Sequence, residues 1–274
     1  MYPDVHFNGP VGRWVKTMAA GLDSHDHLAD GLRRGNPEAV AGLVETFGAG
    51  LYSYLSLMLG DRDVATHALA DTLIVATAHI TRLSEIDHIQ AWLFALARCE
   101  RERRQPAALA RAIPDTLGAM TTRGRARNHG ASPAELWYLA ATRLDPGERE
   151  ALLLGATLAV TDIARVLGTE EPATAELRRR ALRRFREQAE LVGLDPDIRI
   201  AEAIGGVPRD RLIYMCVAPE MAGRRPRVQE RAGPFGPDGF PLAAPEMPGA
   251  ADGHRHRHRR SARLRLRIRS RQLA

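Results

Sequence analysis

Between Leu144 and Glu187 the chain carries its densest set of helix start and stop signals, and this stretch limits the available folds more than any other. Asp145 stands just before Pro146 and three residues before Glu148, which is the spacing of a capping box with proline at the first helical position. Leu152, Leu153 and Ala156 continue an apolar face at helical spacing. The run from Thr161 to Leu167 reads as a second, short helix. Gly168 ends it, because glycine adopts a left-handed backbone without steric cost. A third, long helix begins near Pro172 and carries Arg178, Arg179, Arg180, Arg183, Arg184 and Arg186. A tight turn that leads into an arginine-bearing helix is what a reader of the DNA major groove needs. A helical hairpin with a solvated basic face satisfies the same pattern, and spacing alone does not separate the two.

The surrounding composition points the same way on fold class. Hydrophobic residues make up 45% of the 274 positions and aromatics only 5%. Alanine and leucine supply the apolar content, which favours helices over sheets built from aromatic and β-branched residues. The two cysteines, Cys99 and Cys216, are far apart in the chain and in no CxxC spacing. Neither a disulfide framework nor a zinc site follows, and a reducing, cytoplasmic setting is expected. The first residues lack the apolar core of a secretory signal, and no run is long enough to span a membrane. The net charge is +6, but nine arginines between Arg255 and Arg271 account for more than all of it. What precedes them is mildly acidic, so the high isoelectric point does not make the folded part basic.

Taken in order, 1–25 reads as a loose leader without helical period. The first helical unit covers 26–104. Asn36, Pro37 and Glu38 form a cap, a first residue and a favourable first-turn charge. Val40, Leu43, Val44, Phe47, Leu51, Tyr54, Leu55 and Leu59 mark the buried face, with Gly48 and Gly50 expected to weaken or bend the helix. Gly60-Asp61-Arg62-Asp63 is a turn and cap before a helix from Val64 to about Ile80. A third helix begins near Asp87, with Ile89, Trp92, Leu93, Leu96 and Ala97 inward. On that face Trp92 reads as core. Residues 105–132, with prolines, glycines and Arg123, Arg125 and Arg127, read as a flexible linker between two domains. The second helical domain covers 133–190, with Trp137, Leu139 and Leu144 in its early core. Residues 191–274 are expected to be an extension that is largely disordered, especially 222–252, with one or two helices between Ala189 and Met221 and a basic arm at its end. The His254, His256 and His258 alternation reads as part of that solvated arm.

Two helical units, a linker and an arginine-bearing helix-turn-helix together resemble the small two-domain sigma factors of bacteria, the extracytoplasmic-function class. The resemblance covers about Leu28 to Glu187. Gly35-Asn36-Pro37-Glu38-Ala39-Val40, Leu51-Tyr52-x-Tyr54, Leu59-Gly60-Asp61-Arg62-Asp63 and Ala91-Trp92-Leu93-Phe94-x-Leu96-Ala97-Arg98 carry it in the first domain. Leu144, Glu148-Arg149-Glu150-Ala151-Leu152, Ile163-Ala164-x-x-Leu167-Gly168 and Arg180-Ala181 carry it in the second.

What the resemblance implies is a transcription initiation factor that binds core RNA polymerase and promoter DNA, with an anti-sigma factor as a further partner. It has no catalytic site, cofactor or metal, and no membrane partner. Leu69, Ala70, Asp71 and Leu73 would then face the polymerase. Thr174, Arg178, Arg179, Arg180, Arg183 and Arg184 would meet the upstream promoter element, and Arg101 and Arg104 the downstream one. Phosphate contacts would position the protein and a few base-edge contacts would specify the sequence. Two departures stand out. In the second helix only Asp71 of His67-Ala68-Leu69-Ala70-Asp71-Thr72 keeps a carboxylate, where the family carries several. The recognition helix opens on Glu170, Glu171, Pro172, Ala173 and Glu176, where the family tends to have hydroxyl and lysine side chains. A regulatory or protein-interaction module on the same scaffold is the alternative. No Ser-His-Asp set, HExxH motif, phosphate-cradling glycine loop or paired catalytic carboxylate suggests an enzyme.

Overall fold

A short cap fixes where the first long helix begins. In the computed structural model, which describes residues 30–32, 34, 36–105, 133–195 and 206–242, Asn36 is extended and its Oδ1 accepts from the Glu38 amide at 2.9 Å. Helix α1, Pro37–Leu59, follows and closes on Gly60, whose φ of 71° needs a residue without Cβ. Helix α2, Arg62–His79, starts from Asp61, whose Oδ1 accepts from the amides of Asp63 and Val64 at 2.8 and 3.0 Å. Two 3-10 turns, Ile80–Arg82 and Ile86–His88, lead into α3, described over 89–105. Replacing Asn36 by alanine is expected to cost about 1 kcal/mol, a fall in Tm of about 3 °C, measurable by thermal denaturation.

The second group contains α4 (Pro133–Thr142), α5 (Pro146–Leu154), α6 (Val160–Leu167) and α7 (Glu171–Val192). Glu148 Oε2 accepts from the Asp145 amide at 3.4 Å, the reciprocal half of the expected capping box. Gly168 has φ 66° and its amide returns to the carbonyls of α6, so α7 can start three residues later. The Arg149 guanidinium reaches the carbonyls of Ala141, Thr142 and Leu144 at 2.9–3.3 Å and satisfies the open carboxy-terminal end of α4. Trp137 lies against Phe185, ring centroids 5.0 Å apart, and both are buried.

Beyond α7 the chain folds again. Helix α8, Arg209–Val217, a 3-10 turn, Pro219–Met221, and helix α9, Arg225–Glu230, precede a tight turn bridged between Phe235 and Pro241. The described residues are otherwise helical, in keeping with the all-α expectation. None of the described helices is long and apolar enough to cross a membrane. The described residues, which end at Leu242, form one compact unit. The leader, the linker after 105, the basic run at Arg123, Arg125 and Arg127, and the histidine and arginine tail lie outside the described residues.

One expectation needs correction. Residues 222–242, read from their Pro, Gly and Arg content as disordered, hold α9 and a bridged turn. Helix α1 is continuous through Gly48 and Gly50, and a Cβ on Gly50 would make ordinary contacts of 3.5 Å with Phe94 of α3 and Thr157.

Packing explains why residues 206–242 are ordered. A helix with one buried stripe leaves its opposite face wet. Helix α2 instead buries every residue from Val64 to Ala76 except His67. Helix α1 covers one side of it, and α8 and α9 cover another.

Candidate functional site

The residues expected to face a polymerase lie inside the molecule. Leu69, Ala70 and Leu73 are fully buried and Asp71 is 1% exposed. Cys216 of α8 donates its thiol to the Ala70 carbonyl at 3.7 Å. Asp71 is held by three arginines. Arg104 of α3 and Arg231 pair with Oδ2, the latter at 2.7 Å, and Arg224 pairs with Oδ1 at 2.5 Å. Leu69, Ala70, Asp71 and Leu73, expected to meet a polymerase, are therefore covered in this structure, because an apolar helix face finds cover within its own chain when a complementary segment is in reach.

Four further hydrogen bonds pin the extension. The Gln229 carbonyl meets His79 Nε2 at 3.2 Å. The Asp238 carbonyl accepts from the Ser84 hydroxyl at 3.2 Å and from its amide at 3.3 Å. Gly239 presents its carbonyl to Trp92 Nε1 at 2.8 Å. Trp92 is thus core, as read from its apolar face, and its indole N–H is satisfied by a residue 147 positions later. Phe240 then sits under the Arg165 guanidinium of α6, 6.0 Å from the ring centroid.

The expected downstream-DNA contacts are also internal. Arg101 is buried and pairs with Glu150 of α5 at 3.3 Å and Glu102 at 3.2 Å. Tyr54 of α1 donates to the same Glu150 at 2.6 Å, and Arg98 lies 3.3 Å from it. Burial, then the Glu150 carboxylate, push the Tyr54 hydroxyl well above its ordinary range, so it stays a donor. Arg104 is divided between Asp71 and Glu100. Neither Arg101 nor Arg104 is a solvated helix end, because buried carboxylates on facing helices draw both guanidiniums inward.

Helix α7 splits its arginines between two jobs. Arg178 donates to the Gly155 carbonyl at 3.1 Å, Arg180 pairs with Glu148 at 2.8 Å, and Arg184 pairs with Asp145 and Glu148 at 2.8 Å each. These three fasten α7 to α5. Thr174 is 1% exposed and shares a hydrogen bond of 2.8 Å with Thr169, so it clasps the turn and offers nothing outward, contrary to expectation. Arg179 and Arg183 do face solvent, together with Arg186. Among the described residues Arg179 pairs with the exposed Glu176, at 2.6 Å, a contact of the kind worth well under about 1 kcal/mol.

The sequence reading missed Arg224, Arg231 and Gly239. Pro237-Asp238-Gly239 between Phe235 and Phe240 was the available signal, since proline, aspartate and glycine in that order make a turn. Asp238 Oδ1 accepts from the Phe240 amide at 3.1 Å, and Gly239 takes φ 82°. No protein-family model matches the chain, and no curated protein matches it.

Cys216 reports on this closure. Burial pushes its thiol up to about 12 from an ordinary value of 9.0. A thiol that stays protonated is a poor nucleophile, so maleimide labelling of Cys216 at pH 8 is expected to be slow and to accelerate when the extension lifts. An opened or unfolded chain releases this proton above about pH 9 while the closed form keeps it, so closure loses stability as pH rises from about 9 to about 12. Rates that are the same for the native and urea-unfolded chain would contradict both expectations.

Proposed function

We propose that the chain is a sigma-like transcription initiation factor that binds core RNA polymerase and directs it to promoter DNA. The observation that carries this reading is α6, the Gly168 turn and α7 with its outward Arg179, Arg183 and Arg186, preceded along the chain by α1, α2 and α3 in the order of the quoted motifs. Guanidiniums facing solvent along one helix suit phosphate contact and bidentate reading of guanine. Arg178, Arg180 and Arg184 support the motif by fastening α7 to α5. Core RNA polymerase and promoter DNA are the proposed partners, with an anti-sigma factor beyond them, and the cytoplasm is the proposed location.

A second reading, a regulatory module on the same scaffold that does not open promoters, is favoured by one observation: the polymerase-facing residues Leu69, Ala70, Asp71 and Leu73 are buried. The experiment that separates the two is association with core RNA polymerase, comparing the full chain with a chain ended after Asp195, with helicity checked by circular dichroism. Binding by both supports the initiation factor. Binding by the shorter chain alone makes α8 and α9 an inhibitory cover over α2. Binding by neither, with helicity intact, removes the sigma-like reading.

A further inference from the structure

The cover and the core enclose an open cleft of about 530 Å³, lined by His67 and Asp71 of α2, Arg104 of α3, and Arg224, Arg227, Val228 and Arg231 of the extension. Arg224, Arg227 and Arg231 stand three, four and seven residues apart, so α9 and its flanks turn all of them to one side. Arg103 and Arg104 pair with Glu100 at the same end of α3. Four guanidiniums, of Arg104, Arg224, Arg227 and Arg231, thus line the cleft with one carboxylate, Asp71, an excess of three positive charges that Glu100, shared by Arg103 and Arg104, offsets further. Arg227 is exposed and has no ion pair among the described residues.

We propose that this cleft binds a small oligophosphate anion, either inorganic pyrophosphate or the phosphate chain of a nucleotide, and that the bound anion holds the extension against the core. Guanidiniums are the side chains best matched to phosphate oxygens, which they engage in forked pairs of charge-assisted hydrogen bonds. The volume falls in the range of small-molecule sites, which leaves room for more than one phosphate group. Arginines from both sides of the seam would share one ligand, so the anion relieves a repulsion that Asp71 and Glu100 only partly cancel. His67 senses the excess: its imidazole is held below the ordinary range by desolvation, then by Arg224 and Arg211, with Asp71 opposing and Arg104 adding to them. Anion binding itself does not depend on the function proposed above, whereas any effect on polymerase through the cover rests on that reading.

The test is titration of the full chain with pyrophosphate and, separately, a nucleoside triphosphate at constant ionic strength. The imidazole resonance of His67, assigned through His67→Asn, provides the local readout. The expected result is a saturable shift with a rise in the His67 pKa, because the added negative charge favours the imidazolium. Arg227→Gln is expected to weaken the response about tenfold, the scale of one charge-assisted hydrogen bond, without altering the unliganded fold. The arginines from 255 to 271 are the same in both proteins and cancel in that comparison. A tighter response to the nucleotide identifies it as the source; equal responses identify the free oligophosphate. An unmoved His67, an equal response in Arg227→Gln, or an equal response to sulfate overturns the proposal. No polymerase enters the experiment, so its failure leaves the proposed function untouched, and the reverse holds as well.

Discussion

Asp71→Asn is expected to destabilise the protein by about 3 kcal/mol, since removing one partner of a buried ion pair leaves uncompensated charge. The substitution keeps the shape of the side chain and removes only the charge that Arg104, Arg224 and Arg231 share. The arginines keep part of their access to water, with side-chain exposures of 17%, 26% and 45%, which places the cost at the low end for a buried pair. Urea denaturation measures the loss. Limited proteolysis should then cut within 206–242 faster than in the parent, and Cys216 should label faster. Arg227→Gln, which removes an arginine of the same face with no ion pair among the described residues, is expected to change stability by less than about 0.5 kcal/mol. Equal stability of Asp71→Asn and the parent would mean that the three arginines do not hold the extension.

Gly239→Ala is expected to release the turn at the far end of the extension, at a cost of roughly 3 kcal/mol from a left-handed residue with a side chain and an orphaned indole donor. A Cβ at this position would stand 2.0 Å from the Arg82 carbonyl oxygen and 2.8 Å from the Leu83 Cα. Both are backbone atoms and cannot swing aside as the end of a long side chain can. Withdrawal of the turn takes the Gly239 carbonyl from Trp92 Nε1 and the Asp238 carbonyl from Ser84. The indole N–H resonance of Trp92 follows this directly: slow hydrogen exchange in the parent, fast exchange in the variant. An indole that stays protected in Gly239→Ala would show that the turn tolerates the side chain by another path.

The two variants loosen the extension at different ends, one through charge and one through shape. If both expose Cys216, the extension opens as a unit. If Gly239→Ala frees Trp92 without exposing Cys216, the turn opens separately from α8 and α9.

Much of this fold was legible in local spacing. Asn36 before Pro37, Asp61 ahead of Val64, Asp145 with Glu148, and Gly168 each set a helix end through groups no more than three or four residues apart. The apolar faces of α1 and α3 were equally plain, and Trp92 and Trp137 lie in the core where that spacing puts them. The candidate site was far less legible. Arg101, Arg104 and Thr174 have the residue types of a DNA contact and are held inside. Leu69 and Leu73 have the residue types of a docking face and are covered.

The sequence by itself determined the all-helical class and the helix ends, because hydrogen-bonded caps and the 3.6-residue period act over a turn or two of chain. Only the tertiary structure decided which charges meet. Asp71 is separated by 153 residues from Arg224 and by 160 from Arg231. An arginine bound for a buried carboxylate and one bound for water look the same along the chain, and the difference appears only when packing brings the carboxylate within reach.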